Sequence, residues 1–364
     1  MGEVRLAGRR IGLVGPLPPP SGGMANQTRQ LADLLTKAGA EVSVVQVNAA
    51  YRPQWVARVP VLRALFRLLP YLLALWRVSG RSEILHVMAN SGWSWHLFAA
   101  PAVWIGWLRG SAVVVNYRGG EAGKFLDRNH RLVRFTMRRA KALIVPSRFL
   151  EEIFLSRGMH ALIVPNIVDL EKFRVRTDAQ FDAPNLLVAR NLEPLYDNAS
   201  AIRAFKIIQE YFPKARLTIA GSGPQEAELR QLAGEIGLSD QVFFTGRLEP
   251  KVMAEAYQSA ELMINPSLAD NMPNSILEAW ASGVPVVSTN VGGVPFMATD
   301  GVNVSLVPPG NPGEIANASV ALLKDRSLWC QRAEAGRAEA QRYTWEKVQP
   351  QLADVYSSAL RRAR

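Results

Sequence analysis

The chain has few side chains suited to redox chemistry or metal coordination. Of its 364 residues one is a cysteine, Cys330, and four are histidines, so no internal disulfide can form and the usual zinc ligand sets cannot be assembled. No Asp-x-Asp or similar cluster stands out, and neither a metal nor a cofactor is expected. No secretory signal precedes the first strand-like run, which sets the expectation of a mature N-terminus in the reducing cytoplasm. Charge is missing altogether from Ile84 to Leu108, a stretch that also holds Trp93, Trp95, Trp104 and Trp107. A buried strand followed by Gly92 and a core helix with Pro101 accounts for it; a membrane span would break the alternating pattern around it. His86 then sits in an apolar strand as a satisfied core histidine, and His96, in WSWH, packs.

Positive charge is in excess and unevenly placed. The net charge is +11, with 25 Lys/Arg against 11 Asp/Glu in residues 1–178 and 17 against 20 in residues 179–364, so the two halves carry +14 and −3. Residues 52–81 interleave Arg52, Arg58, Arg63, Arg67, Arg77 and Arg81 with Leu, Phe, Tyr and Trp. That composition suits a membrane surface, where apolar side chains enter the headgroup boundary and each basic residue adds about 1 kcal/mol toward anionic lipid. Pro70 is expected to kink this segment. Arg128, Arg131, Arg134, Arg138 and Arg139 form a second basic stretch, several on one helical face. A solvated charged face is the alternative for either stretch; their occurrence in one half favours the membrane. Nucleic acid is not expected as a partner, because no recognised nucleic-acid module accompanies the charge.

A chain of this length exceeds what one hydrophobic core holds, and two domains are expected. The polar, proline-containing stretch Phe173 to Pro184 reads as the linker. Ile11–Val14, the loop Pro16 to Gly23, a helical pattern to Lys37 and the strand Val42–Val47 make a β-loop-α-β unit. Asn185–Ala189, a helix around Ala199–Tyr211, the strand Arg216–Ala220 and the loop Gly221-Ser-Gly-Pro224 repeat it. Alternating strands and helices point to an α/β fold of parallel sheets with ligands at the carboxyl ends of the strands, and a crevice between two such sheets is the expected active site. Gly22 and Gly23 could admit a phosphate or sugar to the backbone, or simply make a turn; Gly221 and Gly223 read first as a tight turn.

Residues 265–288, NPSLADNMPNSILEAWASGVPVVS, carry the densest signal. Pro273 favours a helix start, while Ser282-Gly283 and Pro285 stop it before the strand run Val284–Val287. The free N–H groups around Asn274 and Ser275 would face an anion such as a diphosphate. Glu278, about one turn in, would lean back toward them and could accept hydrogen bonds from ribose hydroxyls. Asp270 lies just ahead of the helix.

This segment resembles the E-x7-E signature of the family 4 glycosyltransferases, retaining enzymes of the GT-B fold, with Asp270 in place of the first glutamate. VPNIVDLEKF at 164–173, VFFTGRL at 242–248 and VGGVPFMATDGVNVSLVPPGN at 291–311 follow the family's order. The resemblance implies two Rossmann-like domains facing a central cleft: residues 1–175 on the acceptor side, 176–345 binding a nucleotide sugar, and 346–364 as a helix crossing back to the first domain, with Trp345 and Tyr356 as packing residues. It implies that Asp270 contacts the transferred sugar, Glu278 the ribose, and Arg190 the donor diphosphate, a task suited to a guanidinium fork. Gly22, Gly23, Gly221, Gly223 and Arg247 join the substrate-binding set.

Two departures stand out. Leu195 and Tyr196 occupy the positions of a family lysine, and Arg118, in AVVVNYRGG, that of a histidine near the sugar. Arg118 could bind an acidic or phosphorylated group, help neutralise the departing diphosphate, or make an ion pair with Glu121; it cannot act as a base. The activity implied is metal-independent transfer of a hexosyl unit from a UDP- or GDP-sugar to a lipid-linked glycan acceptor at the inner membrane face, in polysaccharide or glycoconjugate assembly. The alternatives are a catalytically silent GT-B subunit that scaffolds an assembly complex, and a nucleotide-sugar epimerase.

Overall fold

The computed structural model describes residues 6–19, 22–49, 60–175 and 181–363. Arg52 and Arg58 of the first basic stretch lie outside them, as does the side chain of Arg63. The chain forms two compact units, Met1–Pro165 with Val348–Arg364, and Asn166–Lys347.

The first unit is built from β1 (Arg10–Gly15), α1 (Gly23–Lys37), β2 (Glu41–Gln46), α2 (Pro60–Ser79), β3 (Ile84–Ala89), a π-helical turn (Trp95–Ala99), α3 (Ala100–Leu108), β4 (Ala112–Tyr117), α4 (Ala122–Met137), β5 (Ala142–Val145), α5 (Arg148–Leu155) and β6 (Leu162–Ile163). Its six strands are all parallel, in the order β2-β1-β3-β4-β5-β6. Every residue of β3 and β4 is buried, which is why both read as unbroken apolar runs. The uncharged stretch folds as β3, the π-helical turn and α3, and no helix among the described residues is long and apolar enough to cross a membrane. The helix α2 continues through Pro70.

The second unit comprises β7 (Asn185–Val188), a 3-10 turn (Pro194–Tyr196), α6 (Asn198–Tyr211), β8 (Arg216–Ala220), α7 (Glu226–Glu235), β9 (Val242–Gly246), α8 (Pro250–Gln258), β10 (Leu262–Asn265), α9 (Asn274–Ala281), β11 (Val286–Thr289), α10 (Val294–Met297), β12 (Ser305–Val307), α11 (Pro312–Lys324) and α12 (Arg326–Ala340). Its parallel sheet runs β12-β11-β10-β7-β8-β9, so the strand order reverses between β7 and β10. In a doubly wound sheet that reversal opens a crevice at the carboxyl ends of the two central strands. The last helix, α13, spans Trp345–Arg361, and from Val348 it groups with the first unit.

The division at Pro165 falls earlier than the expected one at residue 175. Asn166 accounts for this: its amide donates to the Met272 carbonyl at 2.9 Å and to Asn274 Oδ1 at 2.7 Å. Val168 N–H donates to the Tyr343 carbonyl at 2.9 Å, and Phe173 packs edge-on against Tyr257. The strand expected at Val284–Val287 begins instead at Val286, because Gly283 (φ 69°) turns the chain after α9 and Val284 N–H still bonds the helix at Ala279.

Candidate functional site

Arg190 follows β7 and Asp270 follows β10, the two strands that flank the reversal in the second sheet. Sheet order therefore brings together residues far apart in sequence. Arg190 Nη2 is ion-paired with Asp270 Oδ2, and its Nε donates to Asn265 Oδ1 at 2.7 Å. Asn265, the last residue of β10, is fully buried; its amide donates to Ser288 Oγ at 2.9 Å while Oδ1 also accepts from Ser267 Oγ at 2.8 Å. The Tyr196 ring covers the guanidinium, its centroid 5.3 Å from Cζ. An arginine held on several sides keeps a fixed fork for an anion. Burial raises the Asp270 carboxyl above the ordinary aspartate range, opposed chiefly by Arg190.

Four glycines let the backbones that carry these two side chains approach other loops. A Cβ on Gly221 would collide with the carbonyl oxygen of Arg190, and one on Gly223 with that of Leu192. Gly292 (φ 53°) and Gly293 stand in the same relation to the carbonyls of Asp270 and Asn271, and Gly293 N–H donates to the Asp270 carbonyl at 2.9 Å. Only glycine fits such approaches. The turn reading of Gly221 and Gly223 thus acquires a specific purpose, the seating of Arg190. Arg247, exposed beyond β9, donates to Ser222 Oγ in that turn at 2.7 Å.

The helix α9 starts at Asn274, with extended Pro273 as its N-cap and no side-chain cap. Its first N–H groups have no partner within the helix. Ser275 Oγ is buried and makes no hydrogen bond among the described residues. Glu278, half-buried one turn along, shares the Asn274 face. Burial lifts its pKa to about 7, against a hydrogen bond from Tyr257 and the charges of Lys172 and Arg190. Tyr257 hydroxyl also donates to the Ser275 carbonyl at 3.2 Å, which ties the carboxylate's neighbour to the helix start.

Gly22, Gly23 and Arg118 belong to the first unit, where they follow β1 and β4. Gly22 is extended (φ 179°), and a Cβ there would meet nothing within 4 Å. Neither crowding nor turn geometry among the described residues accounts for glycine at this position. Arg118 is half-buried, and burial lowers its pKa only to about 10, so it stays charged at neutral pH. Its Nε donates to Asn116 Oδ1 at 3.2 Å; Asn116 Nδ2 lies 3.1 Å from His86 Nε2, and His86 Nδ1 lies 2.9 Å from Tyr356 Oη on α13. Glu121, one of the alternatives offered for Arg118, accepts from Lys124 Nζ at 2.9 Å. His86 is neutral, its pKa pushed down to about 3 by burial and by Arg118. His96 packs edge-on against Phe125.

Asn265, Tyr257, Lys172, Asn166 and Asn116 were not among the sequence candidates. Asn265 and Asn116 offered a signal, a lone amide in an otherwise apolar strand. Among the described residues no group of three His, Cys, Asp or Glu side chains is placed to hold a metal ion.

Comparison with known proteins adds three findings. Residues 22–166 match the family model described as a glycosyl transferase 4-like domain, and residues 183–325 that of the glycosyl transferases group 1. A D-inositol 3-phosphate glycosyltransferase of Streptomyces bingchenggensis is 30% identical over 212 residues, covering 53% of this chain and 47% of that protein. The chain thus spans about half the length of the curated relative it matches. Among solved structures, sucrose-phosphate synthase from Thermosynechococcus elongatus superposes with a TM-score of 0.77 at 22% identity, over 96% of this chain and 98% of that one. Anabaena HepE, solved in complex with UDP and glucose, gives 0.73 at 18% identity over 96% and 100%. At that identity the likeness is one of fold, the two-domain Rossmann-like GT-B arrangement.

Proposed function

The chain belongs to the family 4 glycosyltransferases, and from that premise we propose that it transfers a hexosyl unit, with retention of configuration, from a nucleotide diphosphate sugar to a lipid-linked glycan acceptor. The observation that carries the reading is the meeting, at the reversal point of the second sheet, of Arg190, Asp270, the open N-terminus of α9 and Glu278. HepE, of similar fold, binds UDP. In our reading the diphosphate lies against Arg190 and the first N–H groups of α9, where a guanidinium and a helix dipole offset the charge that grows on the leaving group. That is why we propose a metal-independent reaction, as the family resemblance also implies. Glu278 accepts the ribose hydroxyls. Asp270 orients the transferred sugar, and the acceptor hydroxyl attacks from the face the diphosphate leaves. On the first unit, we assign Gly22, Gly23 and Arg118 to substrate binding.

The lipid-linked acceptor and a peripheral place on the inner membrane face rest on the +14 charge of the first half. A silent scaffolding subunit is the second reading, favoured by the Tyr196 ring over Arg190 where the family carries a lysine.

A thermal-shift screen against UDP, GDP, ADP and their sugars, followed by transfer from the stabilising sugar to lipid-linked acceptors, separates the two. A ligand present at a hundredfold its Kd raises stability by about 2.7 kcal/mol. Stabilisation with turnover supports the transferase, and stabilisation without turnover on any acceptor supports the scaffold. A folded protein that no nucleotide stabilises sinks the donor site.

A further inference from the structure

The helix α2 is apolar on two opposite sides, and only one is covered. Tyr71 and Leu75 point into the first unit's core, while Phe66, Leu69, Leu73 and Trp76, spaced three and four apart, form the outer stripe and are all exposed. A contiguous apolar stripe left outside a filled core marks a contact with a partner or with lipid. The helix α3 packs against both α2 and α4 and continues the outer surface: Trp107 is 44% and Leu108 62% exposed. On α4 the exposed stripe holds Leu132 and Phe135. Three sequence segments that the primary structure keeps apart therefore make one apolar face.

Guanidinium groups are set into this face. Arg109 lies over the Trp76 ring at 4.6 Å, which joins the ends of α3 and α2. Arg139 lies 4.5 Å from both the Trp104 and Phe135 centroids and 5.5 Å from that of Trp107, which joins α3 and α4. Arg77, Arg128 and Arg131 are exposed on the same helices. The helices α2 and α3 contain no acidic residue, and Glu121 and Asp127, at the start of α4, are paired with Lys124 and Arg157.

We propose that the outer face of α2, α3 and α4 seats on an anionic lipid bilayer, with Trp76, Trp107 and Leu108 entering the headgroup boundary and Arg109 and Arg139 binding lipid phosphate. This deepens the membrane placement proposed above and rests on it. Charge complementarity selects the occupant. A second copy of this face would meet it with like charge, whereas a surface of anionic headgroups over acyl chains satisfies both the arginines and the apolar stripes. Arginine stacked on an indole keeps its outer N–H groups for a phosphate, the bidentate contact for which a guanidinium is shaped.

The test is flotation of the full chain with vesicles of phosphatidylglycerol and phosphatidylcholine, against phosphatidylcholine alone, with no nucleotide sugar present. A protein inactive as a transferase still gives a reading, so this proposal and the catalytic one fail separately. Expected are selective binding to the anionic vesicles, at least a tenfold loss in the triple variant Trp76→Ser, Trp107→Ser, Leu108→Ser, and loss of salt sensitivity in Arg109→Glu with Arg139→Glu. Wild-type protein that stays in solution, or binding undiminished in both variants, overturns the proposal. So does lipid-free self-association, or capture of an acidic protein, that the same variants abolish. Should the triple variant not fold, quenching of wild-type tryptophan fluorescence by lipids spin-labelled near the headgroup decides: strong quenching supports insertion, and none refutes it.

Discussion

Arg190 and Asp270 are ion-paired with side chains only 10% and 12% exposed, and the carboxylate occupies the guanidinium edge that an incoming diphosphate would need. On the proposed function, binding and catalysis therefore make opposing demands on Asp270. Asp270→Asn should raise nucleoside diphosphate affinity several-fold, by releasing Arg190 from its internal anion, while lowering transfer at least a hundredfold. Calorimetric titration and a radiolabelled transfer assay read the two effects; weaker nucleotide binding in this variant would contradict the assignment.

Stability should follow the same pair. Removing one partner leaves the other charge buried and uncompensated, which costs about 3 kcal/mol or more. Arg190→Ala should unfold at markedly lower urea concentration, and the double variant Arg190→Ala, Asp270→Ala should recover part of the loss. A double variant no more stable than the single would show that the pair is not what holds this loop.

Tyr196 covers Arg190 without adding charge. Tyr196→Lys should tighten nucleoside diphosphate binding several-fold, with the gain shrinking as salt is raised. An unchanged affinity across ionic strengths would place Tyr196 outside the phosphate site.

Burial raises Glu278 to a pKa of about 7, so its carboxylate form is the minority below neutrality. If the ribose hydroxyls donate to that carboxylate, affinity for an intact nucleotide sugar should rise about tenfold from pH 6 to pH 8, since one pKa unit is worth about 1.4 kcal/mol. Glu278→Gln should flatten the profile. Stability of the free protein runs the other way: a folded pKa above the unfolded value gives a contribution fully present below about pH 4.5 that is lost as pH rises through about 7. Urea titrations of wild type and Glu278→Gln across that window check the sign.

Gly293→Ala should cost about 2 kcal/mol or more, because its Cβ would meet the Asn271 carbonyl and neither backbone can yield cheaply. Transfer should fall with stability, since the displaced segment carries Asp270, proposed to orient the sugar. Gly22→Ala, with open space around it, should leave the melting temperature unchanged; any loss there would then be in substrate binding alone.

Much of the architecture was legible in the residues. The alternation of apolar runs with helical patterns gave two parallel-sheet units, because a strand buried on both faces tolerates little but Val, Ile and Leu. The unit boundary was not legible: Phe173 to Pro184 looks like the linker, and it takes tertiary bonds, from Asn166 to Met272 and Asn274 and from Val168 to Tyr343, to bring the chain from Asn166 onward into the second unit. The Arg190–Asp270 pair was hidden too. It spans 80 residues and exists because β10 pairs with β7, a fact of sheet order that no local spacing encodes. Likewise the composition of residues 52–81 suggests an outward apolar face, but only the filled opposite side of α2 shows that Leu69 and Leu73 lie on it.

The bonds that run from Arg118 through Asn116 and His86 to Tyr356 have a direction. A guanidinium can only donate, so Asn116 must turn its oxygen to Arg118 and its amide hydrogens to His86 Nε2. The imidazole is left with its single proton on Nδ1, offered to the Tyr356 oxygen. Arg118 thus dictates the tautomer of a ring on the neighbouring strand. A histidine at position 118, able to accept as well as donate, would give Asn116 two equally good orientations and the buried ring two tautomers; arginine leaves one.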